Sequence, residues 1–141
     1  MSSRSTTLQP TITYDITRVL PYVTSNIAGD GYFGSGDGNH TVQFSLDGFT
    51  GKFHVEASIA NSPTDADWIT VKLAEPTVST TQLTVLASGA VSQSGNLVSD
   101  IEYTAPETST KIYNFVGNFT WIRVVVENWS AGTINSILLN H

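Results

Sequence analysis

Between Thr41 and Ile59 the side chains alternate too regularly for anything but a pleated strand. Val42, Phe44 and Leu46 are spaced by Thr41, Gln43 and Ser45, and beyond Asp47-Gly48 the residues Phe53, Val55, Ala57 and Ile59 alternate with Lys52, His54, Glu56 and Ser58. A period of two turns one set toward a core and the other toward solvent, whereas a helix would scatter both sets around its axis. The two runs predict half-buried antiparallel strands, joined across Asp47-Gly48 as a hairpin with more than the minimal two-residue loop.

Similar runs recur along the chain. Thr11 to Val23 has Ile12, Tyr14 and Ile16 on alternate positions and reads as a first strand or extended segment ending near Pro21. Short strands follow at Trp68–Lys72, around Leu83 and Val85, at Lys111–Val116, at Phe119–Glu127 and at Thr133–Asn140, with a weak stretch from Gly89 to Ser109. In the penultimate run Ile122, Val124 and Val126 face one way and Trp121, Arg123, Val125 and Glu127 the other. Apolar side chains on both faces predict a strand that is covered on both sides.

Residues 26–40 hold five glycines in fifteen and predict a long loop or bulged edge, not a helix. Seven to nine short strands with no helical period predict an all-β domain over residues 10–141, behind a flexible arm at residues 1–9. The expected architecture is a two-sheet antiparallel sandwich, jelly-roll-like, with an immunoglobulin-like sandwich as the alternative.

Composition narrows function more by exclusion. The 141 residues suit one domain, and charged residues make up only 13%, against roughly 25% in ordinary globular chains. Six basic and twelve acidic residues give a formal charge of −6, which argues against a nucleic-acid partner and against docking on an anionic membrane. The first fifteen residues lack an apolar h-region, so no signal peptide is expected. With no cysteine there is no disulfide, thiolate metal site or cysteine nucleophile.

No catalytic constellation stands out. The serines lack a GxSxG setting, Asp65/Asp67 and Glu102/Glu107 read as solvated acids, and the expectation is a non-enzymatic protein. His54 and Glu56 share a strand face, too small a set for zinc. The segment Gly31–Gly36 lacks the strand-to-helix setting of a phosphate loop. Asp30, Asp37, Asn39 and Asp47 gather oxygen ligands around glycine turns, the one candidate calcium set, although such clusters also form for conformational reasons. Tyr32, Phe33, Tyr113 and Trp129 are the candidate interaction residues, with Trp129 expected to be exposed because it precedes a turn. Trp68 and Trp121 are expected as core or subunit anchors. Exposed rings of this kind could also stack on a glycan.

Three stretches carry a resemblance: Val42–Gly51, then Val55–Ser58 leading to Asp67-Trp68, then Gly117–Arg123 with Gly132–Ile137. Together they resemble small β-sandwich structural proteins encoded among the virion genes of tailed bacteriophages, cyanophage and T4-like relatives especially. The resemblance covers about half of the chain. It implies a non-enzymatic part of a head decoration, neck, tail or baseplate, assembled in the host cytoplasm, with other virion proteins and further copies of itself as partners. It also implies that Trp68, Phe119 and Trp121 are scaffold, leaving the glycine loop free for contacts. Residues 76–110 match nothing in that pattern.

Overall fold

In a computed structural model the regular structure of the described residues is almost all antiparallel sheet. The structure describes residues 5–33, 38–75, 83–85, 91–93 and 97–141. Short strands β1 (Ser5–Gln9), β2 (Ile12–Thr13), β3 (Tyr22–Val23) and β4 (Ile27–Ala28) lead to a single helical turn α1 (Asp30–Phe33). The long strand β5 (Asn39–Ser58) follows, then β6 (Ile69–Thr70), β7 (Leu83–Val85) and β8 (Val91–Gln93). Two more long strands, β9 (Ile101–Val116) and β10 (Trp121–Asn140), complete the order. Eight of the described strands form one sheet in which β10 lies between β5 and the short strands β1 to β4, while β9 and β6 line the other side of β5; β7 pairs with β8 separately.

This one sheet makes two layers. Phe44 and Phe53 stand nine positions apart in β5, which in a straight strand would separate them by about 30 Å. Their ring centroids are 4.2 Å apart. The strand therefore folds back on itself, and its neighbours fold with it. One layer pairs residues 39–46 of β5 with the ends of β9 and β10; the other pairs residues 51–58 with the starts of those strands. The buried faces of both layers enclose a core that includes Val42, Leu46, Val55, Phe115, Ile122, Val124, Ile137 and Leu139. Val125, on the opposite face of β10, is buried as well, as the sequence led us to expect.

The corner lies where the register breaks. The β5–β10 ladder shifts between Glu127 and Thr133, and the β5–β9 ladder shifts between Leu46 and Gly51. Such bulges bend a strand and reset which parity faces inward. Even positions 42, 44 and 46 are buried before the break and odd positions 49, 53, 55 and 57 after it. Asp47-Gly48, expected to join two strands as a hairpin, instead turns the chain through this corner, with Ala131-Gly132 opposite it in β10.

Other expectations change too. Ser5–Gln9 is a strand on β10 with Leu8 and Gln9 buried, so the flexible arm does not extend to residue 9. The expected strand from Thr11 to Val23 is two short pieces around a turn, and the glycine loop contains one helical turn. Ile101 to Val116 is one strand where a weak stretch and a short strand were expected.

Two glycines test the corner. A Cβ on Gly132 would stand 2.2 Å from the Gly48 carbonyl oxygen, at φ +89°, whereas one on Gly48, at φ +65°, would meet nothing within 4 Å. Gly132→Ala should cost about 3 kcal/mol in urea unfolding and Gly48→Ala about 1 kcal/mol; equal losses would mean that the corner is not close-packed. A chain ending at Ser136 loses the fully buried Ile137 and Leu139 and every β10 partner of β1, and should give no cooperative thermal transition.

Candidate functional site

Folding three long strands in half brings their ends together. Asn39 and Ser58 of β5, Trp121 and Asn140 of β10, and Val116 of β9 all lie at the end remote from the corner. The helical turn α1 packs across this end. Gly31 N donates to Phe119 O at 2.8 Å, an approach that leaves no room for a Cβ, which would stand 2.5 Å from Asn118 O.

The turn is fixed by a buried polar lock. His141 Nδ1 donates to Asp30 Oδ1 at 2.8 Å, and both side chains are buried. Gly38 N donates to the other carboxylate oxygen at 3.0 Å. Asp30 N donates to His40 Nε2 at 3.1 Å, so that nitrogen is the acceptor; His40 Nδ1 then carries the hydrogen and donates to Gly38 O at 3.0 Å. The His40 ring stacks on Phe115 with centroids 4.9 Å apart.

Above the lock, rings reach the surface. Phe33 stacks on His141 at 5.2 Å and meets Tyr32 edge-on at 5.2 Å, and Tyr32 leans on Trp121 at 5.1 Å. Tyr32 is 55% exposed and Phe33 41%. Trp121 is half-buried, its Nε1 donating to Asn61 O at 3.0 Å. Neighbouring rings hold one another, so the exposed pair is presented with little rotamer freedom to lose on contact.

A second polar group lies on the outer face of the layer that holds residues 51–58 of β5. The β5–β10 register sets Glu56 opposite Arg123, His54 opposite Val125 and Lys52 opposite Glu127. Arg123 donates from Nε and Nη2 to Glu56 Oε1, both at 2.8 Å, and its guanidinium lies 4.1 Å over Trp68. His54 Nε2 donates to Glu56 Oε2 at 3.0 Å, while its Nδ1 faces Asp100 at 3.6 Å and Glu127 at 3.8 Å. Burial works against ionisation of Glu56, but the bonds from His54 and Arg123, with the charge of Arg123, outweigh it and hold the carboxyl below its usual range.

The sequence-derived candidates separate clearly. Tyr32 and Phe33 are brought together and exposed. Tyr113 is only 5% exposed; burial, above all, raises its phenol, which bonds to Tyr103. Trp129, expected on the surface, is 2% exposed. Asn128 before it takes φ +52°, a conformation asparagine tolerates, and the indole turns in among Tyr14, Tyr22 and Phe49 to fill the corner.

The calcium set does not assemble. Asp30 is engaged in the lock, Asp47 sits at the corner roughly 26 Å of strand from Asn39, and Asp37 lies outside the described residues. Among the described residues no group of three or more histidines and acids is arranged to hold a metal. Asp67 accepts from Thr64 N and Oγ1, a purely local role. Sequence reasoning missed His141, whose partner is 111 positions away. It also missed the turn after Tyr14, although Asp15-x-Thr17 is a turn signature.

No protein-family model and no curated protein matches the chain. Among solved structures it is similar to the SPBc2 prophage-derived protein YomS, with TM-score 0.51 and 10% identity over 99% of this chain and 94% of that one. At that identity the likeness is one of fold.

Because the pKa of Glu56 is depressed in the folded state, its contribution to stability is complete above the ordinary value of 4.5 and is lost as pH falls through the depressed one. Glu56→Gln should therefore flatten the acid limb of a stability-against-pH curve while leaving the alkaline limb parallel to that of the parent. An unchanged acid limb would place the acid sensitivity elsewhere.

Proposed function

We propose that the protein is a non-enzymatic structural component of a tailed-phage virion, which docks on another virion protein through the aromatic end formed by Tyr32, Phe33 and Trp121. The observation that carries this reading is the pair of exposed rings held rigid by the Asp30–His141 lock. A rigid apolar-aromatic patch loses little entropy on association, and aromatic residues are enriched where protein surfaces meet. The fold it shares with a prophage-derived protein supports a phage setting. Assembly in the host cytoplasm belongs to the same reading.

The exposed faces of Tyr32 and Phe33 also favour a second reading, a carbohydrate-binding module that stacks a sugar on these rings. The two readings differ in partner but share the surface.

Gradient-purified particles, analysed by mass spectrometry, should contain the parent chain in stoichiometric amounts. A Tyr32→Ala/Phe33→Ala chain, altered only at exposed positions, should keep its unfolding temperature within a few degrees and be missing from the particles. Full incorporation of the double variant would remove the aromatic end as the docking face. A parent chain absent from particles but retained by a glycan array would favour the sugar reading.

A further inference from the structure

One buried atom on the outer face of the sheet lacks a hydrogen-bond partner. His54 is 7% exposed, and its Nδ1 is shut off from solvent without a hydrogen bond. The other ring nitrogen is committed. Burial opposes the charge of Glu56, but the bonds from His54 and Arg123 outweigh it and keep the carboxyl ionised at neutral pH. A carboxylate only accepts, so His54 Nε2 carries a hydrogen, and in the neutral ring Nδ1 is a bare lone pair. That lone pair faces Asp100 Oδ1 at 3.6 Å and Glu127 Oε1 at 3.8 Å. Three electron-rich atoms then meet with no hydrogen between them.

The neighbouring charges do not relieve this. Arg123 is spent on Glu56, and Lys52 lies 3.6 Å from the other oxygen of Glu127. Across the β5–β9 ladder Glu102 stands opposite Lys52 and adds a further acid. Lys72, just after β6, donates to Ser99 Oγ at 2.6 Å. Among the described residues His54 is the one basic group within 4 Å of Asp100.

We infer that His54 is a pH-dependent clasp: its imidazolium form ties residues 97–100, the entrance to β9, onto β5 and β10, and its neutral form releases them. Histidine is the side chain that gains and loses its proton nearest neutrality. A proton on Nδ1 turns both facing carboxylates from repulsive neighbours into acceptors. Both stand beyond hydrogen-bond length, and the Asp100 side chain, 50% exposed, has room to close the gap. Otherwise the segment is held by the paired backbone bonds of Val98 and Leu73, 2.9 and 2.8 Å, and by Lys72 on Ser99. Leu97 and Val98 remain 46% and 37% exposed, so little packing opposes release. Leu97 also walls an apolar groove of about 330 Å³ with Ile69, Val71, Phe115 and Val116, and the clasp therefore sets the shape of that surface. The proton favours the closed segment, so closure is complete on the acid side of the histidine range and is lost as pH rises through it. Only near the carboxylate range, about pH 4, are the acceptors themselves neutralised.

Hydrogen exchange of the purified chain reads the clasp through the Val98 amide, with EDTA present so that no divalent cation replaces the proton. After correction for intrinsic exchange, its protection should fall several-fold between about pH 5.5 and about pH 8, while the His54 ring signals in NMR change over the same interval. The Thr24 amide, which donates to Val124 O at 3.0 Å in the same layer, is the reference and should keep its protection. Asp100→Asn preserves the shape of the side chain and should flatten the dependence. His54→Gln, which still offers a donor to Glu56, should abolish it; if that buried substitution unfolds the chain, Asp100→Asn decides alone. Equal protection of Val98 at both pH values, a His54 ring that does not titrate between them, an undiminished fall in Asp100→Asn, or an equal fall at Thr24 would overturn the clasp.

Discussion

A single sheet can bury its own face only by bending, and here the bend is held by Phe44 lying against Phe53. Burying each ring contributes about 1.5–3 kcal/mol, and the pairing adds about 1 kcal/mol more. Everything else follows from that closure. The corner must break register in all three long strands at one level, and Trp129 must fill the space that opens there. At the other end, strand termini that would lie far apart in a flat sheet become neighbours. His141, at the end of β10, can meet Asp30, which packs beside the start of that strand, only because β10 is folded in half.

The class of fold was legible from Thr41 to Ile59 because the alternation of side chains is a local property. The corner was not. A bulge at Asp47-Gly48 and a hairpin turn there need the same residues, and what separates them is whether Phe44 finds Phe53 across the core, a contact set by tertiary packing. Trp129 misled for a related reason: Asn128 signals a change of direction but not which side the next ring will take. Tyr32 and Phe33 were legible as surface rings because they sit among glycines with no alternation to bury them. His141 was not legible as their support, since a histidine declares its partner only when the strand carrying it has been placed.

The aromatic end is rigid, ring-rich and tied into the core through His40 and Phe115, which suits a fixed contact with a different protein. On the outer face of the sheet, Arg123 and His54 both bond to Glu56 and tie β5 to β10 through side chains as well as through the ladder.

Because β5 and β10 run unbroken through both layers, the two halves of the core are joined by peptide bonds as well as by packing. Tension applied at the aromatic end is carried along both strands into the crease, where the bulged residues share it. The layers cannot slide past one another like the plates of a sandwich built from separate sheets. A chain folded this way has no seam between its two layers to part along, and under load it holds its shape until the crease itself straightens.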